Sequence, residues 1–594
     1  MPGILGVISK RPGSSNEEDL RGMMASMHHE EFYERGVYRI EQVGAYLGWV
    51  SQKGSYSAVM PVINRTKDVI LIFDGEHFAE SNRNASAGAG NLMELYEEKN
   101  ENFFESLNGW FAGVLVDLRL NKVFLFNDRF GMRKVYYHES DEAFLFASEA
   151  KALLRVRPQL REFDSVGLGQ YLGCSCTLGE RTLFKGISRL PAGAMWNWNG
   201  SKTVSRKSYF KPESWEKLPA LDAENFYNTF EDTFAKVLPR YFSSDHVAMS
   251  LTAGLDTRLL MACLPCEPGS LPCFTFGGPR RETLDIKRAR EVARVCGQPH
   301  QVIRLQEDFF RRFPDLAADT IRISDGALDV CCTHDLYFNR LAREIAPIRM
   351  TGKFGSEVVR DRSMFKPSML RDELVSQELR TDIARAVSEL DEVRRGHPLT
   401  MSAFKELPWN EHGKLSIEQS QLTLRTPYMD NELVRLFYQA PSEVRSGNQA
   451  QLRLIQRRSP ALAKILTNRG TAGSSNNLVS KCSQIFYYSL LKADYIYLYA
   501  MPSWLTRLTS RGPFVGVERL LLGYQKFEHY RLWLKNEFAS FVREVLLDSR
   551  TLNRSFFNGR FIEQIVFGHT VRGDNYFYEI NKALTLELIC RQLL

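Results

Sequence analysis

The segment 247–260, VAMSLTAGLDTRLL, constrains the fold of this chain more than any other. An apolar run suited to a buried strand passes into the small residues Ala253 and Gly254, then an acidic residue, then helical spacing. Strand, small-residue turn and helix in direct succession open a crossover unit, the connection that parallel strands require. Short apolar runs at 273–276, 301–305 and 348–350 alternate with helical spacing at 257–263 and 284–295. A parallel sheet flanked by helices is therefore predicted, with a helix at 224–238 before it and a mostly helical tail beyond about residue 425.

Upstream the pattern changes. Runs at 4–9, 43–51, 69–73, 110–119, 123–127 and 143–147 are short, apolar and separated by turn residues, with helical spacing at 92–107 and a small-residue loop at 81–91. Stacked sheets with helices outside are predicted there. A polar stretch after Tyr209, holding Pro212 and Pro219, reads as a linker between two domains, 1–210 and 223–594.

Composition narrows the function. With 594 residues, 44% of them hydrophobic, the chain has enough apolar surface for large cores, which excludes disorder for the bulk. The 77 basic and 70 acidic residues leave a net charge of +7, too slight for a global case for nucleic-acid binding. No stretch nears the roughly 18 consecutive apolar residues of a membrane span, and the first thirty residues lack the apolar core of a signal peptide. A soluble, cytoplasmic protein is expected. Ten cysteines are too sparse for a disulfide framework. Cys263 with Cys266 and Cys174 with Cys176 lack a second pair at zinc spacing, so apolar packing is their expected role.

The chemistry concentrates at 252–257. Ala253 and Gly254 let the backbone approach an oxyanion, Thr252 and Thr257 offer hydroxyls, and amides at the start of the following helix point at the anion. Asp256 supplies a carboxylate for a Mg²⁺ bridging phosphate oxygens. On this segment alone, an ordinary strand-to-helix turn capped by Asp256 explains the residues as well.

TAGLDT at 252–257 resembles the SGGxDS pyrophosphate loop of the asparagine synthetase family, and further matches follow in that family's order. MPGILGVIS resembles its amino-terminal MCGIxG; Asp74, Gly75 and Glu76 resemble NGE; 107–111 (LNGWF) resembles LNGMF; 127–132 (NDRFGM) resembles RDRFG; 148–153 (SEAKAL) resembles SEMKAL. Then 182–193 (TLFKGISRLPAG) resembles TLFKGIxxLPPG, and 425–430 (RTPYMD) resembles RVPFLD. The resemblance implies an amino-terminal αββα nucleophile-hydrolase-like sandwich and a carboxy-terminal parallel α/β pyrophosphatase-loop domain with a large helical tail. It implies a ligase that uses ATP and Mg²⁺ to adenylate a small-molecule or peptide carboxylate, after which an amine displaces AMP. Thr252, Ala253, Gly254, Asp256 and Thr257 would hold pyrophosphate and metal, Phe276 would lie beside adenine, and Asp285 would open the next helix. A homodimer and a pathway partner both fit this scheme.

The departures point to a changed amine source. Glutaminases of this class use a cysteine exposed after Met1, with thiolate as nucleophile; this chain has Pro2. The family's arginine after its second main strand has no counterpart, since 47–60 contains no Arg, and the carboxylate that would hold the substrate's α-amine falls at about Gly88. Asp74 replaces an oxyanion-hole amide with an anion. A degenerate glutamine site at Pro2, Asp74, Gly75 and Gly88 is expected, as in β-lactam synthetases and lasso-peptide cyclases, whose amine comes from the substrate itself.

In the second half, 351–357 (TGKFGSE) resembles SGxGADE and brings Gly352 to the nucleotide. Ser356 stands at the second-metal aspartate, Glu357 is retained, and Lys353 occupies the variable third position. Lys353 reads as a phosphate contact, as a base near the acyl carbon, or as a solvated surface residue. Arg469, in NRG at 468–470, stands where the family carries a catalytic lysine and can neutralise pyrophosphate. Lys353 and Arg469 are expected to face one pocket opposite Asp256. The aromatic run at 485–504 reads as core helices or as a docking face. Three function classes follow: an ATP-dependent amide-bond ligase, including an intramolecular cyclase; a nucleotide-binding pseudoenzyme scaffold; and an RNA-modifying enzyme relaying sulfur through the cysteine pairs, against which the family matches count.

Overall fold

The structure is a computed structural model that describes residues 2–9, 15–79, 90–199, 204–242, 246–360, 365, 370–470, 478–503, 506 and 523–594. Two six-stranded sheets form the first third of the chain, and every described pairing in them is antiparallel. One sheet runs Ser188–Arg189, Tyr136–Glu139, Ala143–Ala147, Gly3–Ser9, Ala45–Gln52, Tyr33–Ile40; the other runs Val204–Ser208, Ala194–Asn199, Lys122–Asn127, Phe111–Asp117, Val69–Gly75, Val62–Ile63. Successive side chains on a strand face opposite ways, and the core follows that rule. Ile4 and Ile8 join Leu47, Ile70, Ile72, Val114 and Leu125 between the sheets. Leu5 and Val7, one position out of phase, pack with Met23 and Met27 of the helix Ser15–Met27. Helix Gly90–Lys99 closes the far side, where Leu92, Met93 and Tyr96 meet Leu71, Phe73 and Phe126. The layers are thus helix, sheet, sheet, helix.

A third sheet is wholly parallel, in the order His300–Arg304, Cys273–Gly277, Val247–Ser250, Ile348–Met350, Thr423–Arg425. Numbered along the chain these strands lie 3-2-1-4-5, so the winding direction reverses between Val247–Ser250 and Ile348–Met350. A cleft opens at the carboxyl ends of strands at such a reversal, and the loops 251–254 and 351–354 leave it there. Helices dominate beyond residue 426, ending in the buried helix Phe577–Gln592.

The two halves share one apolar core, and polar clamps reinforce it. Asn108 donates to the Asp430 carboxylate at 2.7 Å and accepts from the Asn431 amide at 3.0 Å. The Arg425 guanidinium grips Glu76, with Nε at 2.9 Å from one carboxylate oxygen, and Phe78 stacks on Tyr241 at 4.0 Å between ring centroids. Asp325 caps the backbone amides of Ala150 and Lys151 at 2.6 and 3.1 Å. The segments LNGWF and RTPYMD, more than 300 positions apart, therefore meet at the interface. The aromatic run at 485–504 departs from the reading as core helices: on helix Leu478–Tyr495, Ile485, Phe486 and Tyr488 stand more than half exposed.

Candidate functional site

Val247–Ser250 delivers the chain to Gly254, which caps the helix Leu255–Cys263 with extended backbone angles. The preceding turn is knitted by hydroxyls. Thr252 Oγ1 lies 3.1 Å from Thr257 Oγ1 and accepts from the Gly254 amide at 3.2 Å. The Ala253 amide donates to Asp285 Oδ1 at 2.7 Å, so Asp285 serves this loop from the start of the neighbouring helix Leu284–Val295. Burial pushes the Asp285 carboxyl up to about 6 despite that hydrogen bond. Underneath, the fully buried Arg258 ties the Ala253 carbonyl to the carbonyls of Ile465 and Leu466, joining the loop to the segment that carries Arg469.

The 351–357 loop lies against this turn because two of its residues lack side chains. A Cβ on Gly352 would come within 2.6 Å of the Thr257 nitrogen, and one on Gly355 within 2.7 Å of Asp256 Cγ. Contacts that short are sterically forbidden, so glycine is required at both places. Between the loops and the tail opens a cavity of about 630 Å³. Thr252, Gly254, Asp256 and Arg469 line it, so the structure brings these expected residues together with Asp285, Ser356 and Arg360.

Asp256 is not an open metal ligand. Its Oδ1 accepts from Arg360 at 3.2 Å and from Gln451 Nε2 at 2.5 Å; its Oδ2 accepts from Arg360 at 3.2 Å and from Ser356 Oγ at 3.1 Å. A carboxylate offers about four acceptor sites, and all four are occupied. A cation would have to displace the guanidinium, and among the described residues no group of three or more His, Cys, Asp or Glu could hold a metal ion. The residues present do not fit the Mg²⁺ expected at Asp256, because Arg360 already supplies the neutralising charge.

The remaining expected residues sit elsewhere. Lys353 is not among the cavity's lining residues; its ammonium contacts Glu418 at 2.7 Å and Glu411 at 3.6 Å. The pocket shared by Lys353 and Arg469 is therefore not formed, because two carboxylates from the helical segment 411–418 hold the lysine. Glu357 is 6% exposed, and burial, with the Asp256 charge adding to it, pushes its carboxyl up to about 7. Phe276 stacks on Phe338 at 4.5 Å, with the Arg349 guanidinium 5.0 Å from its ring centre. Ala253 and Thr257 are buried beneath the loop. Arg360 and Gln451 escaped the sequence reading. A signal existed for Arg360: it follows Ser356 by four positions and caps the end of the helix Gly355–Val359, a spacing that puts two side chains on one face.

At the expected glutamine site Pro2 is buried and Asp74 is 4% exposed. Arg133 NH1 lies 3.1 Å from Asp74 Oδ2, while burial raises the carboxyl. Gly75 donates its amide to Ser57 Oγ at 3.1 Å, and Glu76 is held by Arg425. The void lined by Glu76, Arg133 and Arg425 is about 20 Å³, the space of a water molecule. Gly88 lies outside the described residues. The cysteine pairs are free thiols, with Cys174 and Cys176 buried. No helix among the described residues is long and apolar enough to cross a membrane.

Residues 1–210 match a sequence family described as a glutamine amidotransferase domain. Glutamine-hydrolyzing asparagine synthetase 1 of Bacillus subtilis (strain 168) is 22% identical over 312 residues, 50% of this chain and 49% of that protein. Glutamine-hydrolyzing asparagine synthetase 3 of the same organism is 30% identical over 193 residues, 31% of this chain and 30% of its own. The chain thus spans about half or less of the length of these curated relatives. Among solved structures, glutamine phosphoribosylpyrophosphate amidotransferase from B. subtilis overlaps 77% of this chain and 93% of its own at 10% identity, with a TM-score of 0.25 that is too low to bear on the fold. The first 210 residues thus belong to the glutamine amidotransferase domain family, and parts of the chain are similar to glutamine-hydrolyzing asparagine synthetases.

Proposed function

We propose that the protein is an ATP-dependent amide-bond ligase that adenylates a small-molecule or peptide carboxylate and passes the acyl group to an amine other than glutamine-derived ammonia. The observation that carries this reading is the 630 Å³ cavity at the sheet's reversal point, where a helix start, the Thr252 hydroxyl, Arg360 and Arg469 converge. Amides at a helix start and fixed guanidiniums are groups that receive a polyphosphate. In the proposed reaction a substrate carboxylate oxygen attacks the α-phosphorus of ATP and pyrophosphate leaves toward the two arginines. An amine then attacks the acyl carbon, loses its proton and expels AMP. Family resemblance suggests Mg²⁺ as well, but the filled Asp256 carboxylate fits no metal, and no step is assigned to one.

The occupied glutamine site supports an amine from another source. Pro2 carries no thiol, Asp74 and Glu76 are paired with arginines, and the adjoining void has room for about one water. Free ammonia, a second amino compound or the substrate's own amine, as in an intramolecular cyclase, are the alternatives. A cytoplasmic enzyme with no nucleic-acid partner belongs to the same proposal.

A second reading is favoured by one observation, the mutual neutralisation of Asp256 and Arg360: a scaffold that binds nucleotide without turning it over. Incubating the protein with ATP and a panel of carboxylates and amines separates the two. The ligase releases AMP and pyrophosphate with its proper carboxylate. The scaffold binds ATP and releases neither, and ADP with phosphate would overturn the adenylation reading.

A further inference from the structure

A second cavity, of about 460 Å³, lies where the amidotransferase domain meets the segment 393–409. Its inner wall is apolar, with Phe130, Leu190, Met401 and Phe404 all less than a tenth exposed. Two buried cations also line it, Lys134, 6% exposed, and Arg189, 4% exposed, with the less buried Arg129 and Lys405 beside them. Neither buried cation forms an ion pair among the described residues, although Asp128 attracts Lys134 and Glu180 attracts Arg189 from farther off. The acid nearest in sequence, Asp128, is occupied by the amides of Phe130, Met132 and Arg133 at 2.9–3.1 Å. Arg189 donates to the carbonyls of Thr177 and Gly179 at 2.8 and 2.7 Å, and its Nε has no partner among the described residues. The Lys134 ammonium makes neither a hydrogen bond nor an ion pair among them. Glu180, Glu213 and Glu216 belong to the lining but stand exposed.

Two like charges buried at one cavity, with only the amide-bound Asp128 partly offsetting Lys134, are costly, and an anion would relieve both at once. Burial, with the Arg189 charge adding to it, holds the Lys134 ammonium well below the ordinary lysine range. The apolar wall selects against a bare inorganic ion, which would leave that wall against water, and the exposed acids disfavour a polyanion.

We propose that this cavity binds a small monoanion, a carboxylate carried on an apolar body, with its head at Lys134 and Arg189 and its body against Met401 and Phe404. The site is separate from the nucleotide cavity and does not depend on what binds there.

Titration calorimetry on the full chain, with octanoate and benzoate as probes and octanol and inorganic phosphate as controls, tests it. Octanoate should bind at least tenfold tighter than either control, and Lys134→Met should weaken it at least tenfold. That variant replaces a desolvated charge with an apolar chain of similar length. As a check on the unaltered protein, octanoate should protect Lys134 from an amine-reactive ester, read by mass spectrometry. Failure of both carboxylates to bind, equal binding to Lys134→Met, tighter binding of phosphate, or unprotected Lys134 would each overturn the proposal.

Discussion

Arg469 and Arg360 reach one cavity from different parts of the chain, and Arg360 is paired with Asp256 there. In the proposed adenylation, charge builds on the departing pyrophosphate, and a positioned donor that strengthens its contact in the transition state is worth about 2.7–4 kcal/mol. Arg469→Ala should therefore lower turnover about 100-fold while ATP binding stays within a few-fold, because the ground state keeps the Thr252 loop. Steady-state rates beside ATP titrations check this; undiminished turnover would remove Arg469 from the role. Glu357 gives a second prediction. Its carboxyl holds a proton up to about pH 7 in the folded protein, against an ordinary value of 4.5. Between those values the folded state binds more protons than the unfolded chain, so this group's contribution to stability falls as pH rises. Glu357→Gln should therefore gain on the native protein between pH 5 and 8, by up to about 3 kcal/mol. A gap in unfolding free energy that stays constant with pH would contradict this. Thr252, Gly254, Asp256 and Arg469 were legible because strand, turn and helix lie in consecutive residues or match a motif. Gln451 was not, since nothing local marks a residue 195 positions from its partner.

At the scale of elements, the site is two loops pressed together, and Gly352 sets their separation. Gly352→Ala would push a methyl group into the Thr257 amide, 2.6 Å from its ideal position, and the 351–357 loop must shift. The expected result is ATP affinity reduced at least tenfold, with a stability loss of about 1–3 kcal/mol, measured by titration and by denaturant unfolding. Unchanged affinity would show that the loop bends freely. Elements with a clear apolar pattern were the readable ones: the apolar runs at 69–73 and 143–147, buried on both faces, are strands, and the helical spacing at 284–295 matches the one-faced helix Leu284–Val295. Two edge strands were hidden. Tyr33–Ile40 mixes charged residues with apolar ones because only its ends are buried, and Thr423–Arg425 spans just three residues. The aromatics near 485 misled for the opposite reason: density suggested burial, but helix Leu478–Tyr495 shows several of them to solvent.

Across the whole molecule, Glu76, matched to the glutamine pocket, takes part in holding the halves together. Glu76 binds Arg425, Arg133 lies against Asp74, and about 20 Å³ is left beside them. Pro2→Cys should therefore release no glutamate from glutamine, since a thiol alone reopens no space; measurable glutaminase activity would refute the occupied-pocket reading. The clamp at Glu76 matters beyond its own domain. Arg425 ends an edge strand of the parallel sheet, and its backbone carbonyl accepts from the Thr351 amide, at the root of the loop that faces the 630 Å³ cavity. A domain that braces its neighbour's loop is not dispensable, whether or not it keeps a reaction of its own. Changes at Glu76 or Arg425 should therefore be felt at the far cavity.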